Sequence, residues 1–258
     1  MNLSLDNISF SYDNEIIINA ACATFESGHF YSILGPNGSG KTTLLDLISG
    51  FLIPDTGHIE INQTLISSLS KREISKKISL VSQDHAINFP FSVKEVILMG
   101  RHPYIPRLSH PSQNDLQQVE KVMDICRIRH LKDRKINELS GGERQRCVFA
   151  RAMCQDTPIF LLDEAFSNMD INHTLQLLKL VKRSVMEQNK IVISVFHDLN
   201  LASSWSDAIL MLKNGEIKAF GTSREVLTQQ IIKDVFDVTA VVEFNKHVQA
   251  RQVYYPSI

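Results

Sequence analysis

No stretch of this chain is long and apolar enough to read as a membrane span. A membrane role would therefore have to come through a partner. The opening residues, Met1-Asn2-Leu3-Ser4-Leu5-Asp6, lack a basic region followed by an apolar one and do not read as a secretory signal. Neither sign of charge dominates. The 27 Lys and Arg stand against 28 Asp and Glu, a formal net charge of −1, without the basic excess of a dedicated nucleic-acid binder. Cysteine is sparse: Cys22, Cys126, Cys147 and Cys154 show no C-x-x-C spacing and read as reduced core thiols of a cytosolic protein. Internal repeats and low-complexity segments are missing as well. What remains is one large domain, or a core with a subdomain, in 258 residues that can bury a substantial interior.

The chain is organised around Gly35-Pro36-Asn37-Gly38-Ser39-Gly40-Lys41-Thr42, which fits G-x-x-x-x-G-K-[ST]. Before it, Phe30-Tyr31-Ser32-Ile33-Leu34 reads as a buried parallel strand. After it, Thr43-Leu44-Leu45-Asp46-Leu47-Ile48 reads as the first turns of a helix. Glycines let backbone N–H groups close around an anion. The helix start adds unpaired donors and a positive dipole end. Lys41 is placed to reach terminal phosphates, and the Thr42 hydroxyl to hold Mg²⁺.

Along the rest of the chain, residues 3–12 read as an edge strand, and residues 15–25 as a second strand of an antiparallel layer. Tyr12 closes the first of these. Its ring could stack on an adenine or pack locally at the strand end. Ile78 to Gln83 reads as a strand ending in a glutamine. From Asp84 to about Leu139 no strand pattern appears. Ser92-Val93-Lys94-Glu95 is a capping box, and Leu116, Val119, Met123 and Cys126 form a helical stripe. Apolar strands follow at Ile159 to Leu162, which delivers Asp163 and Glu164, and at Ile191 to Phe196, which delivers His197. Asn214-Gly215 signals a type I′ hairpin. The expectation is an α/β fold: a P-loop NTPase core over residues 2–237, with an antiparallel β layer and a helical subdomain inserted at about 84–154. The pattern weakens beyond Asp237, leaving 238–258 as a C-terminal tail.

Ligands of an open parallel sheet bind at the carboxyl ends of its strands. Four strand ends here carry polar groups: the P-loop, Gln83, Asp163-Glu164 and His197. One nucleotide could gather all four. Asp163 would hold Mg²⁺, Gln83 would sense the metal and the γ-phosphate, Glu164 would act as general base on water, and His197 would hydrogen-bond the γ-phosphate. Ser140-Gly141-Gly142, at the start of a further helix, offers a second anion site without a lysine.

These motifs carry a specific resemblance. GPNGSGKTT, through Thr43, resembles the Walker A loop of ATP-binding cassette (ABC) ATPases, LSGGERQR resembles their signature sequence, and FLLDEA is similar to the end of their Walker B strand. Gln83 matches the Q-loop, Asp170 the D-loop, His197 the switch histidine and Tyr12 the A-loop aromatic. The resemblance implies two copies facing head to tail. Each ATP would lie between one Walker A loop and the other copy's Ser140, Gly141 and Gly142. It also implies integral membrane permease subunits, an external substrate-binding protein reached indirectly, and a peripheral place on the cytoplasmic face of the plasma membrane. Two positions depart from the family pattern. Ala165-Phe166 stands where Pro-Thr or Pro-Ser is usual, and Asn168-Met169 where Ala-Leu is usual. Losing the proline leaves the rigidity after Glu164 to other restraints.

Phe91 to Tyr104, with its V-x-x-x-G-R-x-P stretch, and His197-Asp198-Leu199-Asn200-Leu201-Ala202 are similar to importers of iron chelates, a group covering ferric siderophores, haem and vitamin B12. The expected function is the ATPase subunit of an importer for a ferric siderophore or haem. The alternatives are a vitamin B12 or metal-ion importer ATPase, a soluble cassette ATPase acting on ribosomes or DNA, or a nucleotide kinase using the P-loop alone. His85, His102, His110 and His130 fit no metal-ligand spacing. They read as surface or packing residues.

Overall fold

Two apolar runs at the start of the chain, joined at Asp13-Asn14, fold back on each other as β1 (Asn2–Tyr12) and β2 (Glu15–Glu26). The computed structural model describes residues 1–82, 89–166 and 169–256, so Gln83 and the Ser167-Asn168 step lie outside the described residues. The P-loop strand β3 (His29–Leu34) leads to α1 (Lys41–Ile48), then to β4 (Thr56–Ile61) and the short β5 (Thr64–Leu65). Next come α2 (Lys71–Lys77) and β6 (Ile78–Val81). Between Val81 and Ile159 the described residues are helical or irregular. They hold α3 (Val93–Leu98), α4 (Gln113–Ile125) and α5 (Gly141–Cys154), with one isolated bridge from Ser92 to Lys135. Ser92, Ser112 and Ser140 each open a helix with a capping box, closed by Glu95, Asp115 and Glu143.

The chain then alternates. β7 (Ile159–Leu162), α6 (Ile171–Gln188), β8 (Ile191–Val195), α7 (Leu199–Trp205) and β9 (Ala208–Lys213) build the parallel sheet. Asn214 and Gly215, both at positive φ, turn β9 into the antiparallel β10 (Glu216–Gly221). The short α8 (Ser223–Val226), α9 (Gln229–Phe236) and a hairpin of β11 (Val241–Asn245) and β12 (Ala250–Tyr254) complete the described chain.

The strands form a six-stranded sheet in the order β10-β9-β3-β8-β7-β6 and an antiparallel layer in the order β2-β1-β4-β5. β1 is therefore an inner strand, correcting the reading of it as an edge. The alternation of its residues marks one buried face, and that face looks the same whether one or both edges are paired.

The continuous apolar runs of the parallel strands have a simple cause. Phe30 and Leu34 of β3 point into a core shared with the helices, while Tyr31 and Ile33 point into the core shared with α1 and the antiparallel layer. β7, β8 and β9 split their side chains in the same way, so both faces are covered and no polar alternation is tolerated. Each such side chain contributes roughly 1.5–3 kcal/mol of burial.

The register places the functional edge. Leu162 pairs with Ser194, and Ile33 with Val195, so the carboxyl ends of β3, β7 and β8 finish side by side. The cysteines divide: Cys126, Cys147 and Cys154 are buried, whereas Cys22 is exposed, a correction to reading all four as core. Cys22 sits on β2 at an outward position of the alternation, where residue type does not decide burial.

Candidate nucleotide site

The P-loop joins β3 to α1. Gly40 caps α1 with φ 98°, a conformation a side chain would resist. Gly35 is required for a different reason: a Cβ there would come within 2.1 Å of the Leu212 carbonyl on the neighbouring strand. Lys41 is buried, and its Nζ donates to the carbonyls of Gly35 (3.0 Å) and Pro36 (2.9 Å). Burial lowers its pKa, opposed by the Glu164 and Asp163 carboxylates.

Asp163 follows β7 and is almost fully buried, its N–H donating to the Val81 carbonyl at 2.8 Å. Burial foremost pushes its carboxyl up to about 6; Glu164 and Asp46 add to the push, while a Thr42 side-chain hydrogen bond and Lys41 oppose it. Its Oδ1 is buried and has no hydrogen-bond partner among the described residues. A buried, unpaired carboxylate oxygen beside a threonine hydroxyl is a donor set that fits a hard divalent cation.

Glu164 is a non-glycine residue at φ 49°. Such a conformation costs roughly 1–3 kcal/mol and persists only where the surroundings hold it. Here they do. Its Oε1 lies 2.7 Å from Nε2 of His197, the first residue after Phe196 on the β8 side. The Gln145 side-chain amide of α5 donates to the Ala165 carbonyl at 3.0 Å. Phe166 stacks on Phe196 with centroids 5.6 Å apart and planes 15° apart. An aromatic pair adds about 0.5–1.5 kcal/mol beyond burial, so ring packing and the Gln145 bond together match the strain. The missing proline is thus replaced by side-chain restraints.

An open cleft of about 530 Å³ runs over the P-loop and gathers Tyr12, Asn37, Lys41, Thr43, Glu164 and His197 on its walls, along with Gly38, Gly40 and Thr42. Tyr12 keeps about half its surface exposed while its ring meets Phe10 edge-on at 4.9 Å. Local packing and an available ring face are therefore compatible. Gly35, Pro36 and the buried Ser39 do not line the cleft; the Gly35 and Pro36 carbonyls are the acceptors for Lys41.

Four of the sequence-derived residues stand apart from this cleft. Ser140 caps α5, its Oγ donating to Glu143 at 2.9 Å, and Gly141 and Gly142 follow it. Asp170 caps α6, accepting from the His173 N–H at 2.9 Å. That bond foremost holds the Asp170 carboxyl below its ordinary range. None of the four lines the cleft over their own chain's P-loop.

Sequence reasoning missed Gln145 and treated Phe166 only as a departure. The contacts that give them a role cross from α5 to the β7 turn and from β7 to β8, and no local pattern announces either.

The family model for the ABC transporter matches residues 18–167, more than half of the chain. The chain belongs to the ABC transporter family. This cassette is 32% identical over 237 residues to the petrobactin import ATP-binding protein YclP of Bacillus subtilis (strain 168), covering 92% of this chain and 93% of that protein. It is 34% identical over 253 residues to the hemin import ATP-binding protein HmuV of Escherichia coli O157:H7, covering 95% and 96%. Among solved structures, a metal-chelate type ABC transporter in an inward-facing conformation superposes with a TM-score of 0.84 at 28% identity, covering 98% of this chain and 95% of that one. No helix of the cassette among the described residues is long and apolar enough to cross a membrane.

Proposed function

We propose that this cassette is the ATPase subunit of an importer for an iron complex, a ferric siderophore or haem, working with separate permease subunits. The observation that carries the ATPase reading is the gathering of Lys41, Glu164 and His197 in one cleft over the P-loop, with the unpaired Asp163 oxygen beside Thr42. Backbone N–H groups of Gly38 to Thr43 and the Lys41 ammonium hold the phosphates, and Tyr12 offers its exposed ring to the adenine. Thr42 and Asp163 are the residues that would hold Mg²⁺, with Gln83 the remaining contact proposed from its place after β6. When bound, the metal supplies charge neutralisation on the phosphate oxygens. Glu164 takes the proton of the attacking water, and His197, 2.7 Å from it, orients that water against the γ-phosphate.

Ser140, Gly141, Gly142 and Asp170 serve the nucleotide of a second copy in this reading. Among the described residues nothing outside the helix's own backbone lies within 4 Å of where a Cβ would sit on Gly141 or Gly142, so their packing does not ask for glycine there. A phosphate approached by the partner copy does. The helical unit at about 84–154 carries the face proposed to meet the permease. Phe89, Phe91, Met99 and Leu108 are exposed on it, and Arg72 ties it to α2 by donating to the Pro103 and Ile105 carbonyls at 2.8 and 3.0 Å. In this reading the cassette sits at the cytoplasmic face of the membrane, and a substrate-binding protein acts on the far side.

The experiment is uptake of labelled ferric siderophore, haem and cobalamin into cells expressing the cassette with its candidate permease. Parental and Lys41→Ala chains are compared, alongside MgATP hydrolysis by Glu164→Gln. Uptake of an iron complex that needs Lys41 supports the reading. Uptake of cobalamin alone removes the iron assignment, and parental hydrolysis in Glu164→Gln removes the base.

A further inference from the structure

We propose that Phe166 is a positioning residue for hydrolysis: its stack on Phe196 fixes the Glu164–His197 pair in place. The inference rests on the roles of Glu164 and His197 given above. Phe166 lies two residues after Glu164, and Phe196 immediately before His197. The two rings are 8% and 4% exposed and nearly parallel, so the β7 turn and the β8 end are pressed together at the point where Glu164 reaches His197.

The stack is part of a longer series. Phe149 of α5 meets Phe160 of β7 at 5.5 Å and Phe166 at 6.5 Å, and Phe196 meets Phe30 of β3 at 6.1 Å. Phe30 belongs to the P-loop strand, and α5 opens at Ser140. Five buried rings therefore join the signature helix, the two catalytic strand ends and the phosphate loop. Aromatic side chains have two rotatable bonds and move as plates, so a shift of one ring is passed to the next rather than absorbed.

The turn needs such a restraint. Glu164 sits in the left-handed region, and Ala165 leaves the next backbone torsions open where a proline would fix φ. Gln145 holds the Ala165 carbonyl, but it fixes one atom at one point. Phe166 fixes the direction in which the chain leaves. An aliphatic residue of similar volume would fill the space without the plane-to-plane contact that sets that direction.

The test uses the full chain with MgATP and compares Phe166→Leu, Phe166→Tyr, Phe196→Leu and the Phe166→Leu/Phe196→Leu double variant. A variant of a remote core residue on α9, Ile232→Ala, supplies a control for lost stability. Expected for Phe166→Leu is a fall in kcat of about tenfold with KM for ATP and binding of a fluorescent ATP analogue within about twofold, because hydrolysis geometry is lost and phosphate binding is not. Phe166→Tyr restores most of kcat. The double variant is no slower than the worse single one, since both remove the same stack. The proposal is overturned if Phe166→Leu keeps parental kcat, if Ile232→Ala at the same melting temperature loses as much, or if the two substitutions add. Should both leucine variants fail to fold, kcat of Phe166→Tyr decides: a loss of about tenfold in that folded chain, with ATP binding kept, refutes the role of the ring. Glu164→Gln in the same series separates the two levels: if it hydrolyses at the parental rate the catalytic reading has failed, whatever Phe166 does.

Discussion

The side-chain amide of Asn200 grips the backbone of Val253 at both ends. Its Oδ1 accepts from the Val253 N–H at 2.6 Å, and its Nδ2 donates to the Val253 carbonyl at 3.2 Å. Asn200 lies in α7, the helix that follows His197, and Val253 lies in the C-terminal hairpin. Val253, Ala250 and Ala240 are buried, so the segment read from sequence as a tail is packed into the molecule.

Asn200→Ala is therefore expected to lower the melting temperature by about 2–8 °C, the effect of losing one to two net hydrogen bonds of about 1 kcal/mol each in a chain of this size. Thermal unfolding checks it. An unchanged midpoint would mean that the hairpin holds without this contact.

Asp163 sets a pH dependence in the nucleotide-free chain. Its folded pKa, pushed up to about 6 by burial, lies above the value of roughly 3.9 for an unperturbed aspartate. The folded state thus binds the proton more tightly than the unfolded state. This residue penalises folding above pH ~6, and the penalty disappears as pH falls toward ~4. Asp163→Asn is expected to be more stable than the parent at pH 7, on the order of 3 kcal/mol, with the difference vanishing near pH 4. Melts in EDTA across that range test it, and an advantage that grows on acidification contradicts it.

Gly141→Ala should separate stability from function. Nothing among the described residues opposes a methyl group there, and alanine is a better helix former than glycine by up to about 1 kcal/mol. The melting temperature is expected to hold or rise, while ATP-driven association and hydrolysis fall. Light scattering with ATP, using Glu164→Gln to keep the nucleotide intact, measures the first. Association equal to that of Glu164→Gln alone would remove Gly141 from the seam.

His197→Ala is expected to lower kcat by about 10²–10⁴ while ATP binding persists, since His197 lies in the cleft but the phosphates are held by the loop. Steady-state hydrolysis and equilibrium binding on one preparation check this. A matched loss in both would assign His197 to binding.

Most of the candidate nucleotide site was legible because each part is a local pattern. The glycine loop with its lysine, and the apolar runs ending in Asp163-Glu164 and in His197, can each be read within ten residues. Parallel strands of one sheet bring such ends to one edge without further information. What escaped is non-local. That β1 is flanked on both sides depends on β4 returning to it across the P-loop helix. The hairpin after Asp237 is held by Asn200, dozens of residues upstream. The restraint on the Ala165-Phe166 turn comes from α5 and β8 rather than from its own residues. Cys22 was misplaced because its residue type suggested burial more strongly than its position on β2 did.

Lys41 carries a consequence for how anions meet the loop. An ammonium group has three protons, and two are committed to the Gly35 and Pro36 carbonyls. The tetrahedral geometry then fixes the bearing of the third. An arriving oxyanion meets an aimed donor rather than a swinging point charge. A guanidinium in its place, being flat, could not straddle the same two carbonyls and keep that bearing.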